Sequence, residues 1–527
     1  MKLSFYGAAR EVTGSCYCIE VNGKKVLIDC GLQQGSDEKD NQGLQFDAAE
    51  IDAVILTHAH IDHSGRLPLL VKNGFKNNIY AIEATCDLVS ILLKDSAKIQ
   101  EMDAKWENRK NERAGKEKII PLYSIEDAQE TLKYLVPLSY KELLEIGEGI
   151  KLRFIDAGHI LGSASVELFL EEEGIEKKLV FSGDIGNLDQ PIIKDPQYIE
   201  ETDYVVMEST YGDRNHKFSG DQALELSKII NKTLSRGGNV IIPSFAVGRT
   251  QSLLYLIREI KKRKLIPKGF DYPVYVDSPL ASEATRLYDD DLHIYGDIQT
   301  QDIVKKGRNP LNFSKLYFTE STKDSKALNY DPIPKVIISS SGMCEGGRIK
   351  HHLKHNIWKE ESSVVFVGFQ AEGTLGREIF SGAKRIEIYG SEIVVKAEIY
   401  NFTGLSAHAD REGLIKWVKG FKKKPEKIFL SHGEDEVCDI FVETLEGLGF
   451  KASAPYYGSE YDLANGELIS TIEGQEDIRA LKISYKKLLD AQRRLTDTVT
   501  NMDISAGNDI DKISDEINKI TKKLKNV

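Results

Sequence analysis

The chain reads as an α/β protein, and three features of its sequence predict this. Short apolar runs repeatedly end in polar, reactive residues, as in KKVLIDCG (24–31), AVILTHAHIDHSG (53–65), KLRFIDAGH (151–159), KKLVFSGD (177–184), YVVMES (204–209) and KIFLSH (427–432). The middle of the chain repeats a strand, a Gly/Ser loop and a helix, which predicts parallel βα units with their loops gathered at one edge. The last fifty or so residues carry apolar positions at a 3–4 spacing, which predicts helices.

In chain order, KKVLIDCG is a strand that ends at Asp29. AVIL (53–56) is a strand that runs into a loop carrying His58, His60, Asp62 and His63, and RLPLLVKNG (66–74) is a helix closed by Gly74. The runs ending at His159, Asp184 and Glu208 are further strands. The βα units are GGNVIIPSFAVGRTQSLLYLI (237–257), YPVYVDSPLASEA (272–284), PKVIISSSGMCEGGRIKHHL (334–353) and SSVVFVGFQAEGTLGREIF (362–380). KIFLSH is a last strand. In the tail the spacing runs 478, 481, 485, 488, 492, 495, 499 and 502, with Gln492 as its one polar member. It breaks at SAGND (505–509) and resumes at Ile510, Ile513, Ile517, Ile520 and Leu524, so two helices folded as an antiparallel hairpin are expected. Packing against the body of the protein and contact with a second copy or a partner both remain open for that hairpin.

With 527 residues the chain is too long for one core, so two or more domains are expected. Its 41% hydrophobic and 29% charged residues are typical of a soluble globular protein. No apolar stretch is long enough to span a bilayer, and the start MKLSFYGAAREVTG lacks the apolar segment of a signal peptide. A cytoplasmic location with no membrane association is therefore expected. The net charge of −12 argues against a uniformly basic nucleic-acid binder. It leaves room for a local cationic site supplied by bound metal. The six cysteines form no CxxC pair. They read as reduced thiols packed as small hydrophobes, with Cys16 and Cys18 sharing one face of a strand; metal ligation by that pair is the alternative.

An isolated histidine is most often a surface residue or a hydrogen-bonded core residue. Four ligand-type side chains within six positions, directly after a strand, point instead to metal. A tight loop there turns His58 and His60 toward one ion, while Asp62 and His63 face a neighbouring position. His159, Asp184 and His432 end other apolar runs, and the two oxygens of Asp184 can bridge two ions. Six of the eleven histidines (58, 60, 63, 159, 408 and 432) end or follow strand-like runs, where loops can converge on one pocket.

HAHIDH (58–63), with His159, Asp184 and His432 downstream, resembles the metallo-β-lactamase superfamily. ESTYG (208–212), SAHAD (406–410) and LSHGE (430–434) resemble its β-CASP branch, the nucleases related to the pre-mRNA 3′-end cleavage endonuclease and to RNA-processing enzymes of bacteria and archaea. The resemblance covers about residues 1–465. It implies a metallo-β-lactamase αββα sandwich in two parts, 1–208 and 396–465, with an inserted β-CASP domain over 209–395. The helical extension 466–527 lies outside it. The resemblance also implies two zinc ions per chain, with manganese as the alternative. One would be held by His58, His60, His159 and Asp184, the other by Asp62, His63, Asp184 and His432, and Asp29 would orient a ligand without being one. The implied activity is hydrolysis of RNA phosphodiester bonds. Two ions sharing a water hold hydroxide ready near neutral pH, Asp62 belongs to the catalytic set, and the Glu208–His408 pair serves the leaving oxygen. His432 favours RNA, because DNA-acting members resemble Val there.

Gly248-Arg249, Gly347-Arg348 and Gly376-Arg377 each place an arginine near the start of a predicted helix. A cation there opposes the helix dipole by about 0.3–1 kcal/mol, and a bound anion reverses the argument. Arg249, Arg348 and Arg377, with Ser340 and Ser341 as small donors, are therefore candidate phosphate-binding residues for single-stranded RNA, ordinary salt bridges being the competing use of each arginine. His351, His352 and His355 in KHHLKH look like a third metal motif, although a solvated or backbone-facing role is commoner on a helix. Three rival functions remain: a DNA nuclease of the same fold, a dinuclear hydrolase of a small ester or thioester, and a non-catalytic scaffold in RNA processing. The residues do not decide between internal cutting and cutting from a 5′ end.

Overall fold

The computed structural model describes residues 1–34, 41, 43–216, 220–267, 271–371, 373–402, 405–472, the positions 481, 484, 488, 491, 492, 495 and 499, and 510–524. They fall into two compact units, Met1–Thr471 and Ile472–Val527.

The alternation of side chains along the strands builds the first unit. An eight-stranded sheet runs, edge to edge, through Glu467–Ser470, Glu460–Asp462, Lys2–Gly7, Cys16–Val21, Lys24–Ile28, Ala53–Ile55, Asn78–Ile82 and Leu135–Leu138. A seven-stranded sheet runs through Ala452–Ser453, Lys427–Ser431, Tyr204–Glu208, Ile175–Phe181, Ala164–Glu172, Ile150–Asp156 and Leu143–Gly147. Val26, Ile28, Ala53 and Ile55 of the first sheet pack against Leu179, Phe181, Tyr204, Val206 and Phe429 of the second. Successive strand residues point to opposite faces, so the residues between them turn away. Leu27 and Val54 meet Leu67, Leu70, Leu88 and Val89 from the helices Leu67–Lys72 and Glu83–Ala114. Val180, Val205, Ile428 and Leu430 meet Leu414, Trp417, Phe441 and Leu445 from the helices Arg411–Val418 and Asp435–Gly447. The layers are thus helix, sheet, sheet, helix, as the family resemblance implied.

The βα units form a third sheet of six strands in the order Leu316–Phe318, Val274–Val276, Val336–Ser339, Val240–Pro243, Ser363–Phe366, Glu398–Asn401. All five pairings are parallel. Its central strands are buried throughout, as a parallel sheet covered on both faces requires. The loops that follow its strands hold Arg249, Ser340, Ser341 and Arg348, so they gather at the carboxyl edge as expected. Glu398–Asn401, past 395, pairs within this sheet, and Glu467–Ser470, past 466, is an edge strand of the first sheet. An antiparallel hairpin, Arg385–Ile388 with Ser391–Val394, had no signature in the βα pattern.

In the second unit, the later of the two expected helices is present as Ile510–Leu524. The described positions between 481 and 499 are helical. The remainder of 473–509, including the turn at 505–509, lies outside the described residues, and so does the expected hairpin as a whole. All six cysteines are buried free thiols, and among the described residues none joins a metal-type cluster. No described helix is long and apolar enough to cross a membrane.

Candidate metal centre

The site forms where strand ends from both halves of the sandwich meet. The loop after Ala53–Ile55 supplies His58 and His60, and the short helix Ile61–Ser64 carries Asp62 and His63. Gly31 has to be a glycine here, because a Cβ on it would lie 1.6 Å from the Asp62 carbonyl oxygen. Backbone bonds from Ser15 N to that oxygen and from Cys30 N to the His63 oxygen lock the loop in place. Asp184 follows Ile175–Phe181, and Gly186 lets its loop approach His159, since a Cβ at 186 would meet the Gly158 oxygen at 1.8 Å. The same loop pairs with the distant segment around residue 408 through a Gly186–His408 bridge and the bond from Ala409 N to Ile185 O, 2.8 Å. His432 ends Lys427–Ser431 with φ +47°, and Asp29 ends Lys24–Ile28 with φ +59°. Left-handed backbone costs a non-glycine residue about 1–2 kcal/mol. Here it is held by bonds from His432 N to Ala8 O and from Asp29 N to Ile55 O.

Two sets of ligand-type atoms face each other across Asp184. In the first, His58 Nε2 lies 3.1 Å from His60 Nδ1, which lies 3.2 Å from His159 Nε2. Asp184 Oδ2 is 3.4 Å from both His58 Nε2 and His159 Nε2. In the second, His63 Nε2 is 3.3 Å from His432 Nε2, and His432 Nε2 is 3.5 Å from Asp62 Oδ2. The other carboxylate oxygen, Asp184 Oδ1, is 3.3 Å from His63 Nε2. Ligands about 2.0–2.1 Å from a tetrahedral zinc stand roughly 3.3–3.4 Å apart. The spacings within each set match the edges of such a cage, and Asp184 gives one oxygen to each. The residues present therefore fit two metal ions. Every site residue expected around them, from His58 to His432, is brought together here.

The surrounding contacts fix which nitrogen of each ring faces inward. His63 Nδ1 bonds Asp29 Oδ2 at 2.7 Å, so Nε2 turns to the cluster. Thr57 Oγ1 donates to the same carboxylate at 2.8 Å and accepts from His58 Nδ1 at 3.1 Å. Thr210 Oγ1 lies 3.1 Å from His432 Nδ1. Carboxylate and hydroxyl partners of this kind orient imidazole ligands and raise their basicity. Asp29 thus takes the orienting place expected of it. Thr57 and Thr210 were not singled out in the sequence, although each sits directly beside a quoted motif, Thr57 before HAHIDH and Thr210 inside ESTYG.

Charge at the site divides by position. Burial lowers His58 and His159 well below the ordinary imidazole range and His60 to about 4, so all three are neutral donors. Burial also opposes charge on His63, but the Asp184 and Asp29 carboxylates outweigh it and hold that ring well above its usual value. His408 is likewise desolvated, yet Glu208 and Asp184 push it up to about 9. Its Nδ1 is 3.2 Å from Glu208 Oε2 and 3.9 Å from Asp184 Oδ2. Glu208 is itself anchored, accepting from Ile185 N at 2.5 Å. Asp184, Glu208 and His408 form a third ligand-type set. Its histidine offers Nδ1 to the Glu208 carboxylate, the arrangement of an acid pair beside the cage.

The expected phosphate-binding residues divide. Arg249 begins the helix Arg249–Arg263, is 9% exposed, and its Nε has no hydrogen-bond partner among the described residues. It lines a small cavity together with His159, Ser252 and Tyr288. Burial lowers it to about 10, short of neutralising it. Arg348 is put to another use. Its Nη1 bonds Asp277 Oδ1 at 2.7 Å and the Thr319 oxygen at 2.9 Å, and its Nη2 bonds the Glu320 oxygen at 2.8 Å. The anion that the helix-start argument demanded is an internal carboxylate. Ser341 Oγ accepts from Glu345 N and Gly346 N, and Ser340 Oγ bonds Ser278 Oγ at 2.7 Å, so these hydroxyls brace their own loops. Arg377 Nη1 makes one long bond, 3.4 Å, to the Gln370 oxygen. His352 is no metal ligand either: it lies between Asp277 Oδ2, 2.5 Å, and Asn329 Oδ1, 3.0 Å, while the His351 ring packs on Tyr389 and the His355 ring on Tyr330.

Comparison with known proteins agrees with this geometry. The model of the metallo-beta-lactamase superfamily matches residues 9–205, that of the Beta-Casp domain 250–379, and that of the Zn-dependent metallo-hydrolase RNA specificity domain 392–455. The chain is 39% identical over 459 residues to Ribonuclease TTHA0252 of Thermus thermophilus, a match covering 87% of this chain and 99% of that protein. It is 34% identical to Transcription termination factor FttA of Methanocaldococcus jannaschii, over 85% of this chain and 69% of that protein. An RNase J-like protein of the same organism is 33% identical, over 82% of this chain and 92% of its own length.

Proposed function

The chain belongs to the β-CASP branch of the metallo-β-lactamase superfamily, and from that premise we propose that it is a zinc-dependent ribonuclease that cuts internal phosphodiester bonds of single-stranded RNA in the cytoplasm. It is a metal-dependent phosphodiester hydrolase; zinc, the count of two ions and the internal mode of cutting are the proposed refinements. The observation that carries the reading is the division of Asp184, one oxygen toward His58 and His159 and the other toward His63. His58, His60, His159 and Asp184 would hold one ion, and Asp62, His63, His432 and Asp184 the other. Ions bound there would lower the pKa of a water and neutralise charge on a phosphoryl oxygen.

The chain's own residues do the rest. Asp62 offers an acceptor at the edge of the second set and helps aim the attacking water. Glu208 holds the His408 proton through Nδ1, which leaves Nε2 as the nitrogen that can give a proton to the departing oxygen. Arg249, buried beside His159 and without a partner for Nε among the described residues, supplies a fixed positive charge to the phosphate backbone. Arg377 is the weaker second candidate. The insert's Gly248–Arg249 turn lines one cavity with His159, and a large insert beside the metal set suits an extended polynucleotide better than a small ester. The retained ligand set speaks against a scaffold that has lost catalysis. His432 favours RNA over DNA on the family pattern.

Cleavage of end-labelled RNA and matched DNA tests this, with the RNA carrying a 5′-triphosphate or a 5′-monophosphate and with or without chelator. Internal RNA fragments, independent of the 5′ group and abolished by chelator, are expected. Single nucleotides released only from the monophosphate end would replace the internal mode with a 5′-exonucleolytic one. Equal cutting of DNA, or cutting that survives chelation, would overturn the assignment.

A further inference from the structure

We propose that the exposed face of the helix Ile349–Asn356, with the hairpin packed on it, is an RNA-binding surface built from residues outside the metal centre, where unpaired bases stack on Tyr330, Trp358 and Tyr389 and phosphates meet lysines. The proposal rests on the ribonuclease reading and adds a second point at which the substrate strand is held. Spacing along the helix makes the face. Ile349, His352, Leu353 and Asn356 are buried. Lys350, His351, Lys354 and His355 therefore turn outward, with Lys350 next to Lys354 and His351 next to His355 one turn on. Aromatic rings flank both outward histidines. The Tyr389 ring lies 4.9 Å from that of His351, and the Tyr330 ring 5.6 Å from that of His355. Lys350 Nζ is 5.3 Å from the centre of Tyr389, and Lys359 Nζ is 5.7 Å from the centre of Trp358. Tyr330 is still 77% exposed, Tyr389 50% and Trp358 49%.

The backbone at Tyr389 points to a use for its ring. The hairpin of Arg385–Ile388 and Ser391–Val394 turns on Tyr389 and Gly390, with φ +54° and +71°. A two-residue turn with both φ positive usually takes Asn or Asp before Gly, and a bulky ring there is disfavoured. The residue that breaks this rule is the one whose ring lies on the helix, and Lys354 Nζ ties the hairpin down through Ser391 Oγ at 3.0 Å. Charge selects the occupant. The chain carries −12 overall, yet the neighbouring acids are engaged elsewhere: Asp331 with Lys335, Glu360 with Lys396 and Glu392 with Arg385. Burial lowers His351 and His355, and the charged neighbours that add to the shift are all cationic, His352, Lys326, Lys354 and Lys359 among them. Protein interfaces are depleted in lysine. A single strand offers phosphates to lysines and free base faces to aromatic rings, whereas a duplex keeps its bases stacked on each other.

Binding of a fluorescent single-stranded RNA of about 30 nucleotides to the full chain tests the surface. A Glu208→Gln background keeps the probe intact. Tyr330→Ala with Tyr389→Ala should raise Kd at least about fivefold, and duplex RNA of the same length should be held as before. Lys350→Gln with Lys354→Gln should reduce the salt slope by about 1.4. Unchanged binding in either variant overturns the surface, and so does an equal loss for duplex RNA. A wild-type chain heavier than 59.1 kDa whose mass returns to that value in the aromatic variant also overturns it, because the rings would then serve a protein contact. Failure of the ribonuclease reading looks different: the wild type would neither cut nor bind the single strand, and the surface would fall with it.

Discussion

Asp184 touches both ligand sets, so its loss should be felt by both. Asp184→Ala is expected to release both ions, read as zinc content by mass spectrometry of the purified protein, whereas Glu208→Gln and His408→Ala should keep zinc and lose about 10²–10⁴-fold in cleavage, the usual share of a positioned acid. Equal loss of metal in the latter two would show that they are ligands. The sign of the His408 shift adds a pH test. Its folded value, about 9, lies above the ordinary 6.5. The stabilisation that its carboxylate partners give the fold is therefore complete below about 6.5 and is lost as pH rises through about 9. An acid that must be protonated also makes cleavage fall at alkaline pH. Glu208→Gln removes the carboxylate nearest His408, so the residual activity should begin to fall at a lower pH than in the wild type; an unmoved alkaline limb would take His408 out of the acid role. Arg249 and Arg348 separate two uses of one residue type. Arg249→Ala should weaken RNA binding and reduce the salt slope by about 1. Arg348→Ala should leave that slope alone and destabilise the fold by about 1.5–3 kcal/mol, because it removes a charge-assisted bond from the buried Asp277 carboxylate, which keeps His352 and Ser325. Both follow from binding curves over a salt series and from denaturant melts.

At the level of strands and helices, most of the fold was legible because local chemistry and tertiary role agree. The apolar residues VLI, AVI, LVF and IFL of these strands are buried on two faces and lead to the site, so an apolar run followed by a polar residue marks both the strand and its functional tip. Phe429 shows what such a strand contributes, packing on Phe5, Tyr204 and Tyr461 between the two sheets. Phe429→Ala should cost about 3–5 kcal/mol, read from denaturant unfolding. The seven proposed ligands were legible for the same reason. What was not legible depends on partners remote in sequence. Arg348 looked like a phosphate binder because nothing in GGRIKHH shows that Asp277, from another βα loop, will neutralise it. Thr57 and Thr210 are ordinary strand-end residues until the rings beside them need a fixed tautomer. The strand Glu467–Ser470 follows an apolar run too short to separate from the tail, and it is seen only through its pairing with Glu460–Asp462.

Across the whole molecule, one principle links the chain's order to its chemistry. Strand tips at residues 29, 58, 159, 184, 208 and 432 come from both sheets, and folding the sandwich is what closes the cage. The insert, with its six-stranded sheet, lies wholly between Asp184 and His432 in the sequence, so the ligand set is complete only when the chain returns from it. The measurement that tests this most directly is anomalous diffraction at the zinc edge from crystals of the zinc-loaded protein. Two peaks are predicted, one among His58, His60, His159 and Asp184 and one among Asp62, His63, His432 and Asp184. A single peak, or zinc bound away from Asp184, would contradict the account.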